Sequence, residues 1–295
     1  MSLSRRELLA AGAVAGVASL AAESSAESAV AEDLKSIGKT PHTKFAVNIE
    51  MWWKKLPFLD RIRKTAELGF PAVEFWPFDN KDQTAVAETC EKLGIEIAQF
   101  TAWGFKPHLN DPKNEGDFLK TIEQACQVAH KWKCRKMTVV AGDNTAGLSQ
   151  EKMHEQVIKA LQKAAPIVEA ERVMIILEPM NGRVDHPGHC LYGSVDAVKI
   201  CRAVDSKMVK INWDLYHMQI SEGDLCGRLK EGFDQVGYLQ LADHPGRHEP
   251  GTGEIHYNRV LRAAHELGYH DLVGLECNPT EEIKAAKAVA AADIW

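Results

Sequence analysis

Three carboxylates and an amide stand at or near the ends of short apolar runs in the second half of the chain. Val173-Met174-Ile175-Ile176-Leu177 closes on Glu178, Val209-Lys210-Ile211-Asn212-Trp213 on Asp214, and Leu272-Val273-Gly274-Leu275 on Glu276; Gln240 comes near the end of the run from Val236. Such hard oxygen donors suit Mg²⁺, Mn²⁺ or a related divalent ion. A single acidic residue at a strand end is as often a helix N-cap or a partner for a lysine. Four polar residues closing consecutive strands are harder to explain one by one, because crowded carboxylates repel unless a cation or proton joins them. The set favours a metal.

Further polar residues follow the same runs, and several, Asn181 among them, should face the substrate: Asn181 and Arg183 after the first, His217 after the second, and Asp243, His244, Arg247 and Glu249 after the Gln240 run. The spacing Asp214-x-x-His217 sets an imidazole one short turn from a ligand, where it can bind a substrate oxygen or shuttle a proton. Arg247 sits in a Gly/Pro-rich loop, 245–254, and its guanidinium is a natural clamp for a small carboxylate. Glu74 lies inside another apolar run and is expected to support the ligands or to touch substrate. Trp52, Trp53, Trp76, Phe78 and Trp103 follow the early runs and are expected either to wall the pocket or to pack loops on the scaffold.

Residues from eight strands would have to bring these groups together. The strand candidates are 45–49, 72–75, 96–100, 136–141, 173–178, 209–214, 236–242 and 272–276. Segments of helical periodicity alternate with them, at 58–68, 84–93, 117–131, 150–169, 194–203, 225–231, 257–267 and 281–292. Gly69, Gly94 and Gly268 each follow a leucine where a helix needs a left-handed end, and Ser149, Ser194 and Thr280 are candidate N-caps. Eight βα pairs without a linker make a single (β/α)8 TIM barrel the expected fold, of α/β class, with chemistry at the C-terminal strand ends. A doubly wound sheet is the alternative. Its Gly-rich first turn is missing from Asn48-Ile49-Glu50-Met51-Trp52-Trp53.

The 295 residues carry 35 basic and 41 acidic side chains, a net charge of −6, which argues against a nucleic-acid partner. The ligand should be a small molecule; self-association into a homo-oligomer stays open. Residues 1–31 are expected to form a twin-arginine export signal: Arg5-Arg6, then an Ala/Gly/Val/Leu run from Ala10 to Ala22, then Ala29-Val30-Ala31 as a cleavage site. The run falls short of the ~20 residues of a membrane span. The barrel domain would then be 32–295, exported to the periplasm, or cytoplasmic were the signal not functional. The seven cysteines form no C-x-x-C and are expected in the core.

Three stretches carry a family resemblance: Leu177-Glu178-Pro179-Met180-Asn181, then 214–225 from Asp214-Leu215-Tyr216-His217, then Gln240-Leu241-Ala242-Asp243 through Pro245-Gly246-Arg247 to Glu254-Ile255. With weaker similarity around Phe45–Asn48 and Ala72–Phe75, the chain resembles the hydroxypyruvate isomerase family of the xylose isomerase-like TIM barrels. The resemblance implies a divalent metal held by Glu178, Asp214, Gln240 and Glu276, with Glu178 and Glu276 moving the proton and His217 and Arg247 holding substrate. Related ketose epimerases place histidine where this chain has Gln240. Departures border the pocket: Cys277-Asn278 replaces an aromatic and a basic residue, and His244 a more usual asparagine.

The implied reaction converts hydroxypyruvate to tartronate semialdehyde, or a similar small hydroxycarbonyl acid, through an enediolate. The same groups can epimerise a ketose or sugar acid, and an exported binding protein without turnover is a rival. A phosphodiesterase resembling endonuclease IV would want more histidine ligands and a basic groove.

Overall fold

The computed structural model describes residues 34–295, so the expected signal at 1–31 lies outside the described residues. Eight parallel strands close into a barrel in sequence order: β1 Lys44–Asn48, β2 Ala72–Phe75, β3 Glu96–Trp103, β4 Lys136–Val140, β5 Met174–Glu178, β6 Val209–Asp214, β7 Val236–Leu241 and β8 Leu272–Leu275. The α/β TIM barrel expected from the alternation is the fold observed. Around it run α1 Phe58–Glu67, α2 Gln83–Leu93, α3 Glu115–Lys131, α4 Gln150–Glu171, α5 Ser194–Val204, α6 Leu215–Ser221, α7 Leu225–Gly232, α8 Tyr257–Glu266 and α9 Glu282–Ala292. None of the described helices is long and apolar enough to cross a membrane.

Strand side chains alternate between the barrel interior and the helix layer. Facing the helices, Phe75 and Phe100 meet Trp132 edge-on at 5.2 and 5.1 Å. Inside, the lowest level is a small separate cluster of Ala46, Ala72, Ala98, Ile176, Tyr238 and Leu272. Two residues further along the same strands come Asn48, Glu74 and Gly274, and at the rim Glu178, Asp214 and Glu276. The period of two thus converts apolar runs into a dry base and a polar top.

Gly69, Gly94 and Gly268 take φ of 79°, 67° and 103°, the left-handed conformations that end their helices. Ser149 caps α4 by accepting from the Lys152 N–H. Two expected caps are corrected. Ser194 is already helical and gives its N–H to Glu222, while Thr280 gives its N–H to Glu249 and leaves α9 to be capped by Glu281. Six of the seven cysteines are buried and all are free, with Cys226 half-buried.

Candidate active site

Asp214 ends β6 and at once begins α6, a helix absent from the expected elements. Its Oδ1 accepts the Tyr216 N–H at 2.9 Å and caps that helix, while Oδ2 is buried and has no hydrogen-bond partner. The cap, posed by the sequence as the alternative to a ligand, occupies one oxygen of the carboxylate and leaves the other without a hydrogen bond. The turn of α6 then carries His217 back over the barrel mouth, where Nε2 lies 3.5 Å from Asp214 Oδ2 and 3.9 Å from Glu178 Oε1.

One ligand atom from each of Glu178, Asp214, His217 and Glu276 lies within 4.8 Å of the others, and all four residues are buried. Glu276, just past β8, is held from two sides: Trp76 Nε1 donates to Oε1 at 3.1 Å and Arg247 donates to Oε2 at 2.6 Å. Arg247 also stands 3.8 Å from Asp214 Oδ2 and lies over the Tyr216 ring at 5.0 Å. Burial works against its charge, and the carboxylates of Glu276 and Asp214 outweigh that and keep it cationic. Burial first, then the Glu276 charge, hold the carboxyls of Glu178 and Asp214 well above their ordinary range. Burial, with the surrounding cationic and imidazole groups, holds His217 well below the usual imidazole value.

Gln240 reaches the same centre from below. Its Oε1 accepts from Asn212 at 2.6 Å and its Nε2 donates to Glu74 Oε1 at 2.8 Å, so this amide is tied into a polar floor beneath the four clustered groups. Glu74 is fully buried there, and its Oε1 also accepts from Asn48 Nδ2 at 3.0 Å. Desolvation, then the Glu276 charge, push the Glu74 carboxyl up to about 7. Gln99 and Thr138 continue the floor, with Thr138 Oγ1 donating to Gln99 at 2.8 Å. Gly274 is required by this crowding: a Cβ there would stand 2.2 Å from Glu74 Oε2 and 2.8 Å from Gln240 Cγ.

A cavity of about 370 Å³ opens over the cluster, lined by the polar Glu178, His217, Arg247 and Glu276 and by the apolar Trp76, Phe105, Val140 and Met180. Of the aromatics singled out from the sequence, Trp76 lines it. Trp103 packs on Phe118 and Phe78 on Phe100, while Trp52 packs on Phe70. Phe105, stacked on His186 at 4.8 Å, supplies the wall that sequence reasoning missed. Asp243 and Glu249 serve the loop itself: Asp243 accepts backbone N–H groups from Gly251, Gly253 and Ile255, and Glu249 accepts from Thr280. These contacts shape the segment that presents Arg247, which takes a left-handed φ of 55°.

Comparison with known proteins agrees with this architecture. The family model for the xylose isomerase-like TIM barrel matches residues 62–293. The chain is 32% identical to hydroxypyruvate isomerase of Escherichia coli, covering 82% of this chain and 96% of that protein. It is 34% identical to 2-oxo-tetronate isomerase of Cupriavidus necator, covering 80% and 93%. A solved structure of an AP endonuclease, family 2, from Brucella melitensis superposes with a TM-score of 0.77 at 28% identity, over 82% of this chain and 96% of that one. An L-ribulose 3-epimerase shares the fold at a TM-score of 0.72 and 18% identity, over 84% and 92%. The chain belongs to the xylose isomerase-like TIM-barrel family, in its hydroxypyruvate isomerase branch, and is an isomerase.

Proposed function

We propose that this isomerase moves a proton between adjacent carbons of a small hydroxycarbonyl compound, through an enediolate, with a divalent metal. The observation that carries the reading is the convergence of Glu178, Asp214 and Glu276 beside His217 under one cavity. The donor set fits a hard cation: Asp214 Oδ2 is buried beside the other carboxylates and makes no hydrogen bond within normal distance, and the carboxylates repel one another. Glu178, Asp214 and Glu276 would hold Mg²⁺ or Mn²⁺, with Gln240 as the fourth ligand expected from the family. When bound, such an ion supplies Lewis acidity that eases removal of a proton next to a carbonyl.

The chain's own groups divide the remaining work. The Glu178 carboxylate accepts no hydrogen bond among the described residues and lines the cavity, which leaves it free to take the proton once the cation favours its ionised form. Glu276, oriented by Trp76 and Arg247, stands across the cluster as its counterpart for the return. His217 and Arg247 flank the cavity as donors to the substrate oxygens, where negative charge develops. Asn181 and Glu74 act behind them.

One observation favours a second substrate reading on the same machinery, an uncharged ketose. Among the described residues lining the cavity Arg247 is the one permanent cation, and it is already paired with Glu276. Much of the remaining lining is apolar or aromatic, with Trp76, Pro77, Phe105, Val140 and Met180, which suits the face of a sugar better than a carboxylate. Deuterium exchange from D₂O, followed by NMR with Mn²⁺ and with chelator, tests the chemistry. Metal-dependent exchange beside a carbonyl in hydroxypyruvate, a 2-oxo-tetronate or a small ketose supports it, and a folded, metal-loaded protein that exchanges none of them refutes it.

We also propose that residues 1–31 direct export, on the strength of Arg5-Arg6 and the apolar run after it. A reporter fused to this segment should reach the periplasm, and retention in the cytoplasm would refute the assignment.

A further inference from the structure

Asn181 lies three residues beyond Glu178 and is fully buried, with every side-chain polar atom engaged. Its Oδ1 accepts the backbone N–H groups of Val184 at 3.0 Å and Asp185 at 3.1 Å. Two backbone donors cannot face an NH₂ group, so they settle which end of the amide is oxygen. The NH₂ then faces the other way, toward Asp185 Oδ2 at 2.7 Å and His217 Nδ1 at 2.7 Å. The backbone N–H of Asn181 also points at His217 Nδ1, at 3.3 Å. Neutral imidazole carries one N–H and one lone pair, and an atom facing two N–H donors must offer the lone pair. The proton of His217 is therefore on Nε2, the nitrogen that faces Asp214 and Glu178 and has no partner of its own.

We infer that Asn181 is a positioning residue that locks His217 in its Nε2–H tautomer, which makes the imidazole a hydrogen-bond donor to a substrate oxygen and withholds it from the metal. Nε2 lies among the carboxylate oxygens that would surround a cation, and a protonated nitrogen has no lone pair to coordinate with. The lock thus separates two roles that proximity alone would confuse. It also gives Asn181 a function through His217 in place of direct contact with substrate, since the side chain has neither exposed surface nor a free polar atom. The role in substrate binding rests on the proposed reaction, but the tautomer follows from the hydrogen bonds alone.

The test begins with metal-free, full-length protein labelled with ¹⁵N-histidine, using His217→Gln to assign the resonances. Long-range ¹H–¹⁵N spectra should show a protonated Nε2 and a bare Nδ1 on His217; a proton on Nδ1 overturns the inference without reference to activity. The second step inverts the lock. Asn181→Asp combined with Asp185→Asn keeps an acceptor for the two backbone donors, turns a carboxylate toward Nδ1, and avoids setting two carboxylates face to face. Nδ1 should then carry the proton, kcat for exchange should fall about 10–100-fold with little change in KM, and Mn²⁺ affinity should rise as Nε2 becomes a ligand. A folded double variant with the wild-type tautomer and kcat also overturns the inference. Should the double variant fail to fold, the wild-type spectrum decides. The expected tautomer in a protein that exchanges no substrate would refute the proton-transfer reading and leave the lock standing.

Discussion

Replacing Glu74 with glutamine should make the metal-free protein more resistant to rising pH, by an amount the barrel interior sets. The carboxyl is wholly buried, and desolvation with the Glu276 charge moves it from 4.5 to about 7. A raised acid is stabilising in its protonated form, so the folded chain binds the proton more tightly than the unfolded one. Stability is then fully present below about 4.5 and declines as pH climbs to about 7. At ~1.4 kcal/mol per pKa unit the loss is about 3 kcal/mol. Glu74→Gln retains a carbonyl oxygen for the donors on Asn48 and Gln240 while removing the titration. Urea unfolding of both proteins in chelator, at intervals from pH 4.5 to 8, should give a variant-minus-wild-type difference that grows by about 3 kcal/mol and levels above pH 7. A fixed cost of the substitution shifts this curve without changing its slope. Parallel pH profiles would refute the buried, protonated Glu74.

Gly274→Ala places a methyl group against Glu74 Oε2 and Gln240 and should cost about 1–3 kcal/mol in urea unfolding. Trp76→Phe keeps the ring and removes the N–H that holds Glu276 Oε1; losing a hydrogen bond to a charged group, about 1.5 kcal/mol, should lower kcat/KM roughly tenfold. Mn²⁺ at 100 times its Kd should stabilise the wild type by about 2.7 kcal/mol, read as a rise in melting temperature. Asp214→Asn should lose that rise, and an undiminished shift would remove Asp214 from the ligands.

The fold was legible because eight short apolar runs alternate with segments of helical period, and several of the helices end on a recognisable signal, as at Leu93-Gly94. Helix Leu215–Ser221 was not legible. Leu215, Tyr216, His217, Met218 and Ile220 are all buried, so the segment has no polar face from which a period could be read, and its cap was hidden in a residue chosen for other reasons. The carboxylates at the rim were visible as strand ends. The floor beneath them was less so, because Asn48, Gln99, Thr138 and Asn212 look like single polar interruptions until barrel closure brings four strands together. Their signal was present in the alternation: a polar residue at an inward position of an otherwise buried strand needs a partner across the barrel. Phe105 and His186 carried no such signal, since their stacking joins loops far apart in sequence.

Charge balance links the pH behaviour to the proposed cation. Glu74, Glu178, Asp214 and Glu276 are all buried in one neighbourhood, and Arg247 is the guanidinium that answers them. One positive charge cannot neutralise four carboxylates, and burial with the Glu276 charge shifts Glu74, Glu178 and Asp214 all upward, toward holding protons in the metal-free protein. A divalent ion takes over that neutralising role and favours the ionised forms, so its binding must expel protons. Mn²⁺ titrated near pH 6 into the protein in two buffers of different ionisation enthalpy should therefore give different heats, with the difference counting the protons released. Affinity should rise with pH over the same range. Equal heats in the two buffers would show the carboxylates already ionised without the cation, and the neutralisation would have to come from elsewhere in the barrel.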